Sequence, residues 1–255
     1  MSCKTNILKS RIARHDRLIG LWCSLTSASA VEALSTVAYD WFLLDMEHAP
    51  NELGDIVSQL RVLDSVEMVG VVRPPSSDRV MIKRLLDAGA KNFLFPYVQS
   101  VEEAREIVRS TRYAPDGVRG VSTAGRAALY GARKNYLQEA ADEIAIGIQI
   151  ETLEAFEAIP GIAALPEVDI LFFGPADLSA DMGLLGQGEH PAVQAKIIDG
   201  IRLVRAQDKM AGVLAPDPII AKHYAQAGAN FVAVGSDLAC LRVQAQALLD
   251  TASGF

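Results

Sequence analysis

The chain has 255 residues, half of them hydrophobic and 22% charged, with 24 basic against 31 acidic side chains and a net charge of −7. This length accommodates one sizeable core, and the acidic balance argues against the basic face that nucleic acid or an anionic membrane would need. The longest uncharged runs, 18–31 and 223–236, span 14 residues each and fall short of the ~20 apolar residues of a membrane crossing.

The opening segment, MSCKTNILKSRIARHDR, is basic but lacks an apolar stretch, so it reads as a leading helix rather than a secretory signal. Leu8 and Ile12, four apart, would face the fold. An apolar run at 18–24 follows, then a helix over 31–37, a run at 40–45 and a helix over 52–63. The pattern continues with a run at 68–73, a helix over 78–87, a run at 92–96 and a helix over 101–112. In this last helix Glu102 and Glu103 come early and Arg109 and Arg112 late, which suits the helix dipole. A longer interruption at 114–142 opens YAPDGVRG and is expected to hold an active-site loop and a helix over 134–141. Runs at 144–151, 169–174, 211–215 and 230–235 complete the series, with helices over 193–207, 218–227 and 238–249.

Each run is short and apolar throughout, the signature of a strand buried on both faces. Eight strand–helix repeats in this length predict a closed (β/α)8 TIM barrel, an α/β fold, rather than an open doubly wound sheet. No linker or composition shift divides the chain, so 1–255 reads as one domain. Cys3, Cys23 and Cys240 are odd in number and have no metal-type spacing. They fit inert thiols in a reducing cytoplasm.

A barrel works at the C-terminal ends of its strands, so the polar residues there are the candidates. They are Asp45, Glu47 and His48 after the second run, Arg73 after the third, Gln149 and Glu151 after the fifth, and Gly174 and Asp177 after the sixth. Period two puts Gln149 and Glu151 on one face. Glu151 and Asp177, hard oxygen donors at adjacent strand ends, suit Mg2+ or Mn2+, unless each merely caps the helix that follows. Arg73, before Pro74 and Pro75, can grip a carboxylate or a developing enolate oxygen, or simply pair with Asp45 or Glu47. His48 can serve as a general base oriented by Asp45, or be a capping histidine. His15, His190 and His223 read as solvated. No lysine ends a strand, which argues against imine chemistry. The VGSDL turn after the eighth run resembles a phosphate-binding helix start, but Ser236 or Asp237 there reads better as a helix cap.

In chain order, LLDMEHAPN, VVRPP, IKRLLDAGA, RGVSTAGRA, QIET, GPADLS and FVAVGSDL resemble the HpcH/HpaI family of metal-dependent (class II) pyruvate aldolases, over about 18–249. Within the family the resemblance is greatest to 2-dehydro-3-deoxyglucarate aldolase, then to 4-hydroxy-2-oxoheptanedioate aldolase. By this resemblance Glu151 and Asp177 are the ligands of a divalent metal, Mg2+, Mn2+ or Co2+. His48 is the base, Arg73 stabilises the transition state, and Gln149 and Ala176 belong to the pyruvate site. Asp87 reaches into a neighbouring subunit's site and raises the basicity of its histidine. The resemblance also implies a last helix swapped between subunits and a homohexamer. Ala176 stands where the glucarate-type enzyme has Ser, so a backbone N–H contact there would survive and a hydroxyl contact would not.

The expected activity is reversible cleavage of a 4-hydroxy-2-oxo acid, such as 2-dehydro-3-deoxyglucarate or 4-hydroxy-2-oxoheptanedioate, to pyruvate and an aldehyde. Backbone N–H groups in 174–177 hold the carboxylate, and Thr123, Arg126 and Leu214 set the aldehyde by position. The partners are then a small keto acid and an aldehyde, with no nucleic acid and no membrane. Two alternatives are a citrate-lyase β-type or malyl-CoA-lyase-like enzyme and a non-catalytic keto-acid-binding barrel. The first wants a basic patch for CoA, and only Arg119 and Arg126 are offered for the mouth.

Overall fold

The computed structural model describes residues 6–253, so Cys3 lies outside the described residues. Eight strands close into a parallel barrel in sequence order. They are β1 (Leu18–Cys23), β2 (Trp41–Asp45), β3 (Val69–Arg73), β4 (Asn92–Phe95), β5 (Ala145–Ile150), β6 (Val168–Phe173), β7 (Met210–Leu214) and β8 (Phe231–Ser236). All eight runs expected from the sequence are strands, with ends within a residue or two. The helices are α1 (Ile7–Ala13), α2 (Ala28–Leu34), α3 (Leu53–Ser65), α4 (Arg79–Asp87), α5 (Val101–Thr111), α6 (Tyr136–Glu139), α7 (Leu153–Ala163), α8 (Pro175–Asp181), α9 (Pro191–Arg205), α10 (Pro218–Ala227) and α11 (Asp237–Ala252).

Strand alternation sorts the side chains into two cores. Leu18, Trp22, Trp41, Leu43, Val69, Val71, Ile170, Phe172 and Phe231 fill the barrel, while Phe42, Leu44, Val72, Ile148 and Phe173 pack under the helices. Trp41 stacks on Phe231 at 4.0 Å between ring centroids, and Phe172 meets Phe231 edge-on. Rings of this size fit because Gly20 and Gly212 leave room. A Cβ at Gly20 would stand 2.1 Å from the Trp41 ring, and one at Gly212 2.3 Å from Phe172. The foot is closed by α1, whose Leu8 joins the barrel core. Asn6 pins it there, donating to Asn92 Oδ1 at 2.6 Å and to the Glu143 carbonyl at 2.7 Å.

The same alternation carries the site. Asp45 continues Trp41 and Leu43, and Arg73 continues Val69 and Val71, so both point inward at the mouth. β2 and β3 pair with Asp45 opposite Arg73.

The 114–142 interruption does not reach this chain's own mouth. It follows α5 and enters β5, so it lies at the foot, where helices end and strands begin. It contains a 3-10 turn over Arg126–Gly131 and the short α6 in place of a helix over 134–141. The final helix is also unusual. Leu238, Leu241, Val243, Leu248 and Leu249 on α11 are each more than half exposed. No helix of the described residues is long and apolar enough to cross a membrane.

Candidate active site

A cavity of about 320 Å³ opens at the mouth, lined by His48, Arg73, Gln149, Glu151, Gly174, Ala176, Asp177 and Leu214, among others. Seven of these, all but Leu214, come from the ends of β2, β3, β5 and β6 and the turns that follow, and the structure brings them together.

Arg73, only 6% exposed, is held on every side. Its Nε and Nη2 donate to the two Asp45 oxygens at 2.8 and 2.7 Å. Its Nη1 lies 2.9 Å from Glu47 Oε2, an ionic contact without hydrogen-bond alignment, and 3.4 Å from Gln149 Oε1. The guanidinium sits 4.9 Å from the centre of the Trp22 ring, whose Nε1 donates to Asp45 Oδ2 at 3.3 Å. Burial pushes the Asp45 carboxyl up, but its bonds and charge contact with Arg73 outweigh this and hold it below the usual range. Asp45 does not orient the His48 imidazole as expected. Its oxygens are spent on Arg73, and it reaches His48 only at the backbone N–H, at 3.5 Å. The imidazole is 65% exposed, and its acidic neighbour is Glu47, with Nε2 3.7 Å from Oε2.

Glu151 is 2% exposed. Its Oε1 accepts the Tyr97 N–H at 2.7 Å and its Oε2 accepts Gln149 Nε2 at 2.7 Å. Tyr97 turns its N–H toward the carboxylate by adopting a left-handed φ of 54°. Burial pushes Glu151 up to about 7; the Tyr97 bond opposes this, and the charges of Asp177 and Glu47 add to it. Glu47 is raised too, by burial first, against the pull of Arg73 and His48. No hydrogen bond or ion pair holds the Asp177 carboxylate among the described residues. The capping alternatives are therefore excluded. α7 is capped by Thr152, whose hydroxyl accepts from Ala155 N at 3.1 Å, and α8 has no side-chain cap.

Two converging carboxylates, one desolvated and one unpaired, form a negative pocket that a hard divalent cation would fit. No cluster of three or more His, Cys, Asp or Glu suited to a metal occurs among the described residues, so the protein would supply two ligands and leave the others to water and substrate. Gly174 is glycine for space, since a Cβ there would meet Glu151 Oε2 at 2.5 Å. Of the N–H groups in 174–177, Gly174 donates to the Ile150 carbonyl at 3.4 Å and Pro175 has none, which leaves those of Ala176 and Asp177.

Thr123 and Asp87 are not part of this chain's own mouth. Thr123 is exposed in the foot insertion. Asp87 ends α4, also at the foot, where Arg119 Nη2 donates to it at 2.9 Å. Arg119 and Arg126 lie there as well, Arg126 donating to the Ala88 carbonyl and pairing with Asp64, so neither forms a basic patch at this chain's own mouth. The VGSDL turn is a cap, with Ser236 accepting from Ala239 N at 3.1 Å. Sequence reasoning missed Trp22, although it ends β1 on the inward face and the same alternation points to it. The Tyr97 N–H is invisible to any side-chain pattern.

The HpcH/HpaI aldolase/citrate lyase family matches residues 18–243. A hydroxypyruvate/pyruvate aldolase of Paraburkholderia phytofirmans is 46% identical, covering 99% of this chain and 100% of its own. A 4-hydroxy-2-oxo-heptane-1,7-dioate aldolase of Escherichia coli is 44% identical over 95% of this chain and 93% of its own. A 5-keto-4-deoxy-D-glucarate aldolase of Enterobacter is 42% identical over 96% of each. Identities this close do not choose among the three substrates. The crystal structure of an HpcH/HpaI aldolase/citrate lyase family protein from Burkholderia cenocepacia superposes with a TM-score of 0.92 at 40% identity, over 97% of this chain and 99% of that one.

Proposed function

The chain belongs to the HpcH/HpaI aldolase/citrate lyase family and is an aldolase, a carbon–carbon lyase, and from this premise we propose that it cleaves a 4-hydroxy-2-oxo acid reversibly to pyruvate and an aldehyde. The class includes the keto-deoxy-glucarate and hydroxy-oxoheptanedioate of the relatives' names. The observation that carries the reading is the cavity that pairs the unbalanced carboxylates Glu151 and Asp177 with a locked guanidinium, Arg73.

Glu151 and Asp177 would hold a divalent ion, Mg2+, Mn2+ or Co2+, which when bound supplies Lewis-acid withdrawal of electron density from a keto group. The remaining work falls to the chain's own groups. The N–H groups of Ala176 and Asp177, in the uncapped first turn of α8, receive the substrate carboxylate, and Gln149 flanks it. Ala176 contributes through its backbone alone. His48, free to face solvent and substrate, takes the proton from the C4 hydroxyl as the C3–C4 bond breaks. Arg73 meets the negative charge that develops on the pyruvate enolate oxygen. Because Asp45, Glu47 and Trp22 already fix its guanidinium, little reorganisation is needed at the moment of reaction.

An oligomer completes the scheme. The apolar side of α11 has no cover among the described residues, and a swap onto a neighbouring barrel, within a hexamer, would bury it. Asp87, outward at the foot, would then support a neighbour's His48. The free thiols Cys23 and Cys240 suit a reducing cytoplasm. The test is pyruvate release from a synthetic 4-hydroxy-2-oxo acid. Release that requires Mg2+ or Mn2+ and stops in chelator is expected; release unaffected by chelator defeats the proposal.

A further inference from the structure

The foot insertion holds a buried cation that the scheme above leaves unused. After α5 the YAPDGVRG turn folds back on the helix end. The Val118 N–H donates to the Arg109 carbonyl at 2.9 Å and the Arg119 N–H to the Arg112 carbonyl at 2.8 Å. Gly117 permits this close return, since a Cβ there would stand 2.2 Å from the Arg109 carbonyl oxygen. The turn thereby carries Arg119 to the end of α4, with its guanidinium 4.5 and 5.7 Å from the ring centres of Tyr113 and Tyr136. Its side chain is 0% exposed, so it can touch no ligand.

Its hydrogen bonding is unlike that of a residue kept for stability alone. Arg119 Nη2 donates to Tyr136 Oη and to Asp87 Oδ1, each at 2.9 Å, while Nε and Nη1 are buried without a partner. Arg133, in the same insertion, brings all three guanidinium nitrogens to Glu139 and Glu143. Unmet donors in a desolvated site cost stability, and an apolar side chain between the two rings would avoid that cost. What the guanidinium does supply is a fixed anchor for Asp87. That carboxylate is 27% exposed and held through Oδ1, and its Oδ2 has no hydrogen bond among the described residues. One oxygen is therefore offered outward from a set position. The insertion also leaves Val121, Leu129 and Tyr130 exposed, an apolar face of the kind a second copy of the chain would cover.

We propose that Arg119 is a positioning residue for catalysis at a neighbouring subunit's mouth: it holds the Asp87 carboxylate in place for the neighbour's His48. The inference rests on the reading that Asp87 supports that histidine. A carboxylate free to turn about its side-chain torsions would spend little time aimed at an imidazole. A bond to an immobile cation removes that freedom before the subunits meet.

The test is steady-state pyruvate release by the intact oligomer with Mg2+. Arg119→Met should lower kcat about 10-fold and leave KM for the keto acid within about 2-fold, because the side chain meets no substrate. Arg119→Lys, which keeps a charged donor for Asp87, should regain most of that loss. In an Asp87→Asn background Arg119→Met should cost nothing further, since the two side chains act as one unit. Oligomers co-expressed from Arg119→Met and His48→Ala subunits contain whole sites only if the foot of one chain serves the mouth of another. On random mixing about one site in four is then whole, and turnover should reach about a quarter of wild type rather than the roughly one-twentieth that dilution gives. No gain on mixing, or a further loss from Arg119→Met in Asp87→Asn, overturns the inference. If Arg119→Met alone does not fold, the Arg119→Met/Asp87→Asn pair, which leaves neither charge behind, decides by the same comparison with Asp87→Asn. Mixing Asp87→Asn with His48→Ala subunits separates the two failures. No gain there sinks the reading of Asp87 and this inference with it, whereas gain there without gain for Arg119→Met sinks only the role of Arg119.

Discussion

The mouth and the foot of this barrel both bury charge, but they balance it differently. At the foot Arg119, with a side chain 0% exposed, lies between the rings of Tyr113 and Tyr136 and donates to Asp87 and to the Tyr136 hydroxyl. At the mouth Glu151 has neighbours of its own sign, Asp177 and Glu47, and faces open space. Buried charge alone therefore does not mark a site. An unbalanced excess turned toward a cavity does, because it is tolerated only where a ligand can offset it.

The largest effect should come from the mouth carboxylates. Glu151→Ala or Asp177→Ala should lower metal-dependent turnover by at least about 1000-fold, measured as steady-state pyruvate release. Loss below 10-fold would mean that the acid excess serves no ion.

Asp87→Asn, at the foot, should destabilise the fold by about 3 kcal/mol, because it leaves the Arg119 guanidinium buried without its carboxylate, in addition to the turnover lost with its support of a neighbour's His48. Denaturant midpoints would show this; an unchanged midpoint would make the two ends alike after all. Arg73→Ala should cost roughly 100-fold in kcat if the guanidinium stabilises the enolate, whereas a change confined to KM would mark a substrate anchor. Asp45→Asn should give the same signature more weakly, about 10-fold, because it loosens Arg73 without removing it.

The smallest effect is on pH and stability. Glu151 holds its proton more tightly when folded than unfolded, so the metal-free protein loses stability as pH rises from the ordinary carboxyl range through about 7. A divalent ion offsets that loss. The Tm gain on adding Mg2+ should therefore be larger at pH 8 than at pH 6 by a few degrees. An equal gain at both would show that the Glu151 charge and the ion are not linked.

The barrel was legible because strands buried on both faces are written as unbroken apolar runs, and Phe42 beside Leu43 needs no polar alternation. The mouth was legible from the same runs, since Asp45, Arg73, Gln149 and Glu151 all fall where a run ends. The position of the foot within the chain was legible too. The insertion carrying Thr123 follows a helix and precedes a strand, and that order alone assigns it to the end of the barrel away from the mouth. Other features left no trace in sequence. Asp45 serves Arg73 rather than His48 because β2 and β3 register the two opposite each other.

Whether Glu151 and a divalent ion together generate the enolate is read from solvent deuterium entering the pyruvate methyl group, followed by NMR with Mn2+ or Mg2+ present and then in excess chelator. Exchange should depend on the ion and vanish in Glu151→Ala. Exchange that persists at full rate in chelator, or in Glu151→Ala, would contradict it.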